Sequence, residues 1–226
     1  MAAGPLEIVY EDNHLLAVVK PAGLATMGLA ADRTTLLTLA REYVKQRYGK
    51  PGKVYLGVIS RLDVPVTGIV LFARTSKAAR RLTEQFRTRA VEKTYWALVE
   101  GKLREAAGEC VGWVVHDDRH RRVHRAAEGQ PGAKEARLWY RRLREWEDRS
   151  LVEIGLETGR KHQIRLQLAG LGHPILGDRK YGSRRSFPGG IALHARCLVV
   201  AHPVRDENLV LEAPVPRTWH AFGVTQ

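Results

Sequence analysis

The chain of 226 residues has little sulfur: two cysteines, Cys110 and Cys197, and two methionines. The cysteines are too far apart for a CxxC pair, and no Cys/His run has zinc-site spacing, so no metal is expected. Both stand in apolar, strand-like stretches that disfavour a thiolate nucleophile, and no GxSxG elbow offers a serine. His162, His173 and His194 fit no HExxH pattern and read as loop or core histidines. Gly23 to Gly28, GLATMG, has P-loop glycine spacing, but Leu29 stands where the phosphate-binding lysine belongs. Apolar runs of membrane length are missing, and the opening MAAGPLEIVYEDN lacks the basic start and apolar core of a signal peptide. These absences point away from a membrane and toward a soluble, reducing, cytoplasmic setting. There is no internal repeat, heptad array or low-complexity linker, so a single domain spanning 1–226, monomeric by default, is the simplest expectation.

Acidic residues are also scarce relative to basic ones. The 24 Asp+Glu against 37 Lys+Arg leave a formal charge of +13, which points to a polyanionic partner, with nucleic acid leading. The surplus is dense in a basic, β-rich insertion at about 109–149. There Arg121, Arg122, Arg125, Lys134, Arg137, Arg141, Arg142 and Arg144 alternate with Trp139, Tyr140 and Trp146. Cationic side chains interleaved with stacking surfaces suit RNA, although strand alternation would let part of the aromatic set face a core.

The hydrophobic pattern is that of an α+β chain. Ile8-Val9-Tyr10 and Leu15 to Val19, separated by Asp12-Asn13, read as a hairpin. A helix is expected from near Thr34, with Leu36, Leu37, Ala40, Tyr43 and Val44 on one side, and a second helix capped by Ser76, amphipathic and basic. Strands are expected at Ile69 to Phe72, Lys93 to Val99, Glu109 to Val115, Glu135 to Leu143 and Leu151 to Leu156, which makes the middle mainly antiparallel sheet. A loop at Glu157 to Arg165 leads into a short helix, and Gly177 to Gly182 reads as a loop.

One carboxylate stands out. Asp63 follows Arg61-Leu62 and precedes a Pro/Gly turn at the mouth of the Ile69-to-Phe72 strand, where polar residues on a rigid support collect function. From the segment alone, a turn cap paired to an arginine is the plainer reading. The ordered set KPAGL (Lys20 to Leu24), RLDxxxTG (Arg61 to Gly68), EKTYWALVEG (Glu92 to Gly101), ETGRKHQIR (Glu157 to Arg165), GDRKYG (Gly177 to Gly182) and LHA (Leu193 to Ala195) changes the balance. It closely resembles the RluA-type pseudouridine synthases over nearly the whole chain.

The resemblance implies a pseudouridine synthase fold, with a mixed, mostly antiparallel central sheet flanked by helices and loops. It also implies conversion of uridine to pseudouridine in structured RNA, rRNA or tRNA, without cofactor or metal. Asp63 matches the catalytic aspartate, Arg165 the arginine paired with it, and Tyr95 the active-site tyrosine on the uracil. Arg61 matches the arginine beside the flipped nucleotide and Ile164 the apolar residue against the base; Lys93, Arg160 and His162 fall in the same motifs as substrate contacts. The chemistry suits these residue types. An ionised Asp can attack or support an electron-poor anomeric centre, or promote proton loss to a glycal, and a stacked uridine must first flip out. Two positions depart from the family pattern: Ser60 replaces the usual His, and Val66 removes one hydroxyl from the turn. The motif series begins at Glu7, so an S4-like RNA-binding domain is not expected. An inactive RNA-binding protein of the same fold would leave Asp63 as a stray negative charge on a phosphate-binding surface, and a nucleic-acid glycosylase would release free uracil.

Overall fold

The computed structural model describes residues 6–28, 33–117, 119, 120 and 122–225; Leu29 and Arg121 lie outside the described residues. The chain divides into two compact units, one holding the segment up to Val91 together with that from Ala195 onward, the other Glu92–His194.

In the first unit, β1 (Glu7–Glu11) and β2 (Leu15–Lys20) form the expected hairpin. Its turn is closed by Asp12, whose carboxylate accepts from the amides of His14 and Leu15, both at 2.7 Å. β2 pairs antiparallel with β4 (Thr67–Ala73), running from Leu15 opposite Ala73 to Lys20 opposite Gly68, and the two-residue β3 (Gly57–Val58) joins β4. Both faces of β2 and β4 are covered, which is why they read as unbroken apolar runs. Leu15, Ala17, Ile69 and Leu71 pack with Ala78 and Leu82 of α2 (Ser76–Arg87), whereas Leu16, Val18, Val70 and Phe72 pack with Leu36, Ala40 and Val44 of α1 (Leu36–Arg47). β10 (Leu193–Ala201) follows β4 in the strand order and carries β11 (Asn208–Glu212) through antiparallel pairs from Cys197 to Ala201.

Both helices begin on threonine. Thr35 caps α1 in a reciprocal capping box with Thr38, one residue from the expected start. α2 is capped by Thr75, whose hydroxyl accepts from the Ala78 amide at 3.1 Å. Ser76 is therefore the first helical residue and not the cap.

The second unit is an antiparallel sheet in the order β5 (Glu92–Glu100), β9 (Arg149–Leu156), β8 (Lys134–Glu145), β6 (Ala107–Asp117), β7 (Arg122–Ala126). The basic stretch at about 109–149 supplies β6, β7 and β8. Only one face is covered by helix, so residues alternate. Tyr95, Ile154 and Tyr140 lie in one row of the register, while Thr94, Gly155, Trp139 and Glu109 form a row on the opposite face. α3 (Gln163–Gly170) docks on the first face, with Leu166 against Val114, Val123 and Ala136 and Gln167 Nε2 donating to the carbonyls of Cys110 and Ala136. The GDRKYG loop contains a 3-10 turn, Arg179–Tyr181.

Gly68 shows how tightly the first unit is closed around the start of β4. Its φ is +116°, and a Cβ placed there would lie 2.3 Å from the carbonyl oxygen of Ala195. Gly68→Ala therefore combines left-handed strain with a backbone overlap, and should destabilise the protein by on the order of 3 kcal/mol or prevent folding. Urea denaturation followed by circular dichroism checks this; a stability within 1 kcal/mol of wild type, roughly the scatter of surface substitutions, would contradict it.

Candidate active site

Asp63 is half-buried on the turn that enters β4, and the first unit ties that turn down around it. The Val66 amide closes the turn onto the Asp63 carbonyl at 3.1 Å. Thr26 grips the preceding residue from both sides: its hydroxyl donates to the Leu62 carbonyl at 3.0 Å and accepts from the Leu62 amide at 3.2 Å. Ser60, one of the two departures from the family pattern, accepts from the Leu71 amide at 2.9 Å and so fixes the approach to the turn against β4. Val66, the other, is buried. Arg61 is exposed.

The centre of this arrangement is Lys20, a fully buried lysine at the end of β2. Its Nζ donates to the carbonyls of Pro21 and Leu24 at 2.8 Å and of Val64 at 3.1 Å, and the Gly23 amide donates to the same Val64 carbonyl at 2.9 Å. The KPAGL loop and the Asp63 turn are thus one hydrogen-bonded body. Burial pulls the Lys20 ammonium down to about 8, against the opposing pull of the Asp63 carboxylate.

In the second unit, Arg165 is buried on α3 and forks onto Asp178: Nε donates to Oδ2 at 2.7 Å and Nη2 to Oδ1 at 2.8 Å, with Asp178 itself buried. The guanidinium carbon lies over the Tyr181 ring, 5.0 Å from its centre, and the Tyr181 hydroxyl meets His162 Nδ1 at 2.8 Å. His162 caps α3 in the left-handed conformation, φ +54°. The loop before it is held by Gln163, which accepts from the Thr158 hydroxyl and the Arg160 amide and donates to the Arg137 carbonyl. Ile164 is buried.

Two other expected substrate contacts, Arg160 and Lys93, lie on or beside this loop. Arg160 Nε donates to the Glu135 carbonyl at 2.8 Å, and Lys93 Nζ lies 3.9 Å from where a Gly159 Cβ would stand. Tyr95 is half-buried on the side of the sheet that carries Ile154, opposite Trp96, as strand alternation requires. Trp96 is also only half-buried, because its row contains Glu153 on the face without a helix.

The basic stretch is less available than its composition suggests. Arg137 pairs with Glu135, Arg141 with Glu153 and Arg142 with Glu145, while the guanidinium groups of Arg144 and Arg149 both stack on Trp146. Arg125 lies over the end of α3 so closely that a Cβ on Gly170 would fall 1.7 Å from its Nη2. Tyr140 is buried, and Trp139 is 38% exposed on the sheet face opposite Tyr95.

The family described as RNA pseudouridylate synthase matches residues 14–170, a span that contains Asp63, Tyr95 and Arg165. The chain belongs to the RNA pseudouridylate synthase family. It is therefore placed among isomerases. Over 94% of its length it is 38% identical to an uncharacterized RNA pseudouridine synthase of Bacillus subtilis and 35% identical to a ribosomal large subunit pseudouridine synthase D of Xylella fastidiosa. It spans 70% and 66% of those two proteins. The fold agrees with that of human RNA pseudouridylate synthase domain containing 4, at a TM-score of 0.79 and 27% identity, over 95% of this chain and 92% of the human one. The α+β synthase fold with its mostly antiparallel sheet is thus the fold that the motif order implied.

Within this family framework, three residues acquire roles that motif reading did not give them. Lys20, Asp178 and Tyr181 all lie inside recognised motifs, but their partners are set by tertiary structure. Two predictions follow from the geometry. Lys20 binds a proton in the unfolded chain up to the ordinary lysine value of 10.5 but in the folded chain only up to about 8, so the unfolded state holds more protons between these limits. Stability from this group should therefore rise with pH through that window, by at most about 1.4 kcal/mol per pH unit. Urea titrations at pH 7.5 and 9.5 on wild type and Lys20→Met should show the rise only in wild type. Asp178→Asn removes the negative charge that the buried Arg165 guanidinium forks onto and should cost about 3–5 kcal/mol, part of which Arg165→Met in the same chain restores. Simple additivity of the two substitutions would count against the pair.

Proposed function

We propose that this chain is an RNA pseudouridine synthase that isomerises a uridine of structured ribosomal RNA, as a cytoplasmic monomer whose two units serve one catalytic function. The observation that carries the reading is the Asp63 turn: a half-buried carboxylate on a loop whose neighbours on both sides are pinned by Lys20, Thr26 and Ser60. Rigid presentation of one carboxylate is what the reaction needs. The N1–C1′ bond of uridine breaks, the base turns, C5 joins C1′, and the proton leaves C5, with no net gain or loss of atoms. Asp63 supports the electron-poor anomeric carbon by attack, by charge, or by promoting proton loss from the sugar. By the motif match Arg165 is the family's arginine partner of the catalytic aspartate, Ile164 keeps water from the base, Tyr95 contacts the uracil and accepts its C5 proton while N1 takes one up, and Arg61 fills the space of the flipped nucleotide. Ribosomal RNA is preferred to tRNA because the Xylella relative is a ribosomal large subunit synthase. Among the described residues no helix is long and apolar enough to cross a membrane, and no three His, Cys, Asp or Glu side chains form a metal-holding group.

The test is to map pseudouridine in total RNA from cells with and without the protein, and then with Asp63→Asn. A uridine should lose its modification in the absence of the protein and stay unmodified with Asp63→Asn, while RNA affinity changes by no more than a few fold, since the amide keeps the shape and removes only the charge. Turnover by the Asn variant would refute the role of Asp63. Release of free uracil would identify a glycosylase instead.

A further inference from the structure

We propose that Tyr181 is a positioning residue that couples strand β7 of the basic hairpin to the Arg165 site. Contacts to three residues converge on this one side chain. Its ring lies 5.0 Å from the Arg165 guanidinium carbon. Its hydroxyl meets His162 Nδ1 at 2.8 Å, at the start of the helix that carries Ile164 and Arg165. The same hydroxyl accepts from the backbone amide of Val123 at 3.2 Å.

The last contact is the informative one. Among the described residues β7 is the terminal strand of its sheet and pairs with β6 alone, Val123 standing opposite His116. An edge strand presents amides that need an acceptor outside the sheet. Tyr181 supplies it with a phenol oxygen that also serves His162. A displacement of β7 therefore changes the position of the phenol, and the phenol reaches the capping residue of α3 and the face of Arg165. Asp178, three residues before Tyr181 on the same turn, takes the N–H fork of that guanidinium, whose carbon stands over the Tyr181 ring. His162 reinforces the link: it sits at φ +54° and makes no side-chain capping bond, its ring being committed to Tyr181. A non-glycine residue in that conformation persists where its surroundings hold it there. Neighbouring Arg122, His124 and Arg125 on β7 are exposed, so RNA lying on the hairpin bears on the strand that Tyr181 tethers.

The inference rests on the proposed role of Arg165. Tyr181→Phe is the test, because it keeps the ring on the guanidinium and removes only the hydroxyl. The assay uses the full chain and an unmodified transcript of the RNA segment that the mapping identifies. In the variant, kcat should fall roughly ten- to a hundred-fold, the scale of small misplacements of a positioned group, with KM and melting temperature unchanged. Amide hydrogen exchange at Val123 should accelerate at least about ten-fold in the free protein, as expected when one hydrogen bond is lost. An unchanged kcat overturns the proposal, as do a loss expressed only in KM, a loss that accompanies a lowered melting temperature, and unchanged exchange at Val123. Turnover by Asp63→Asn would sink the reading of the catalytic site while leaving the exchange result at Val123 intact, so the two failures are told apart.

Discussion

A buried ammonium group leaves its surroundings no choice. Lys20 has no access to water, so each of its donors has to find an acceptor within the protein, and the acceptors it finds are carbonyls on two different loops. Pro21 and Leu24 belong to the loop that follows β2; Val64 belongs to the turn of Asp63. Displacing either loop would strand the charge, at a cost that no rearrangement on the surface repays. The constraint extends outward from there. Lys20 stands opposite Gly68 at the end of the β2–β4 ladder, so the register that brings the lysine under the turn is the one that presses Gly68 onto the backbone of Ala195. The helices on both faces of these strands complete the enclosure that keeps Lys20 dry.

Much of the fold was legible because its signals are local. The β1–β2 hairpin follows from two apolar runs and an Asp-Asn turn, and the start of α1 was read to within a residue because a threonine precedes an apolar stripe. The cap of α2 was misassigned by one because Thr75 and Ser76 are both good caps; backbone geometry made the choice. β7 was not anticipated at all. RVHRA carries no apolar alternation of its own beyond Val123, and its strand form comes from pairing with β6. The candidate site shows the same division. Its motifs are visible, yet Lys20 stands out there only as the first residue of KPAGL, since lysines are almost always exposed and burial is not written in the motif. The grip of Asp178 on Arg165 joins two motifs across an intervening turn, and nothing in either motif names the other.

Charge tells a related story at a larger scale. A net +13 is a property of the whole chain and describes the field an approaching polyanion feels, but it assigns no arginine to that partner. In the basic stretch, Arg137, Arg141 and Arg142 are matched to glutamates, and Arg144 and Arg149 enclose Trp146. These side chains hold the sheet's own surface together, and exposed pairs of this kind are each worth little. Lys77, Arg80, Arg81 and Arg87 line the exposed side of α2, a helix whose apolar side is consumed by the core, and there too Arg87 forks onto Glu84 and Arg81 donates to the Pro203 carbonyl. Composition identified the partner class; geometry redistributes which cations face it.

The two buried cations illustrate why their partners differ. The hydrogen bonds of Lys20 go to neutral carbonyls, so its positive charge is solvated by dipoles but not cancelled, and burial lowers its proton affinity. Arg165 cannot give up its proton, and its burial is compensated by a full carboxylate in a two-bond fork. A lysine could satisfy the charge of Asp178 but not both the fork and the ring of Tyr181, since only a planar guanidinium offers an edge and a face at once. Conversely, Lys20 offers rotatable donors on a compact head, which suits three carbonyls drawn from two loops. Each position thus selects its cation by shape, and the first selects one whose compact head fits beneath the turn of Asp63.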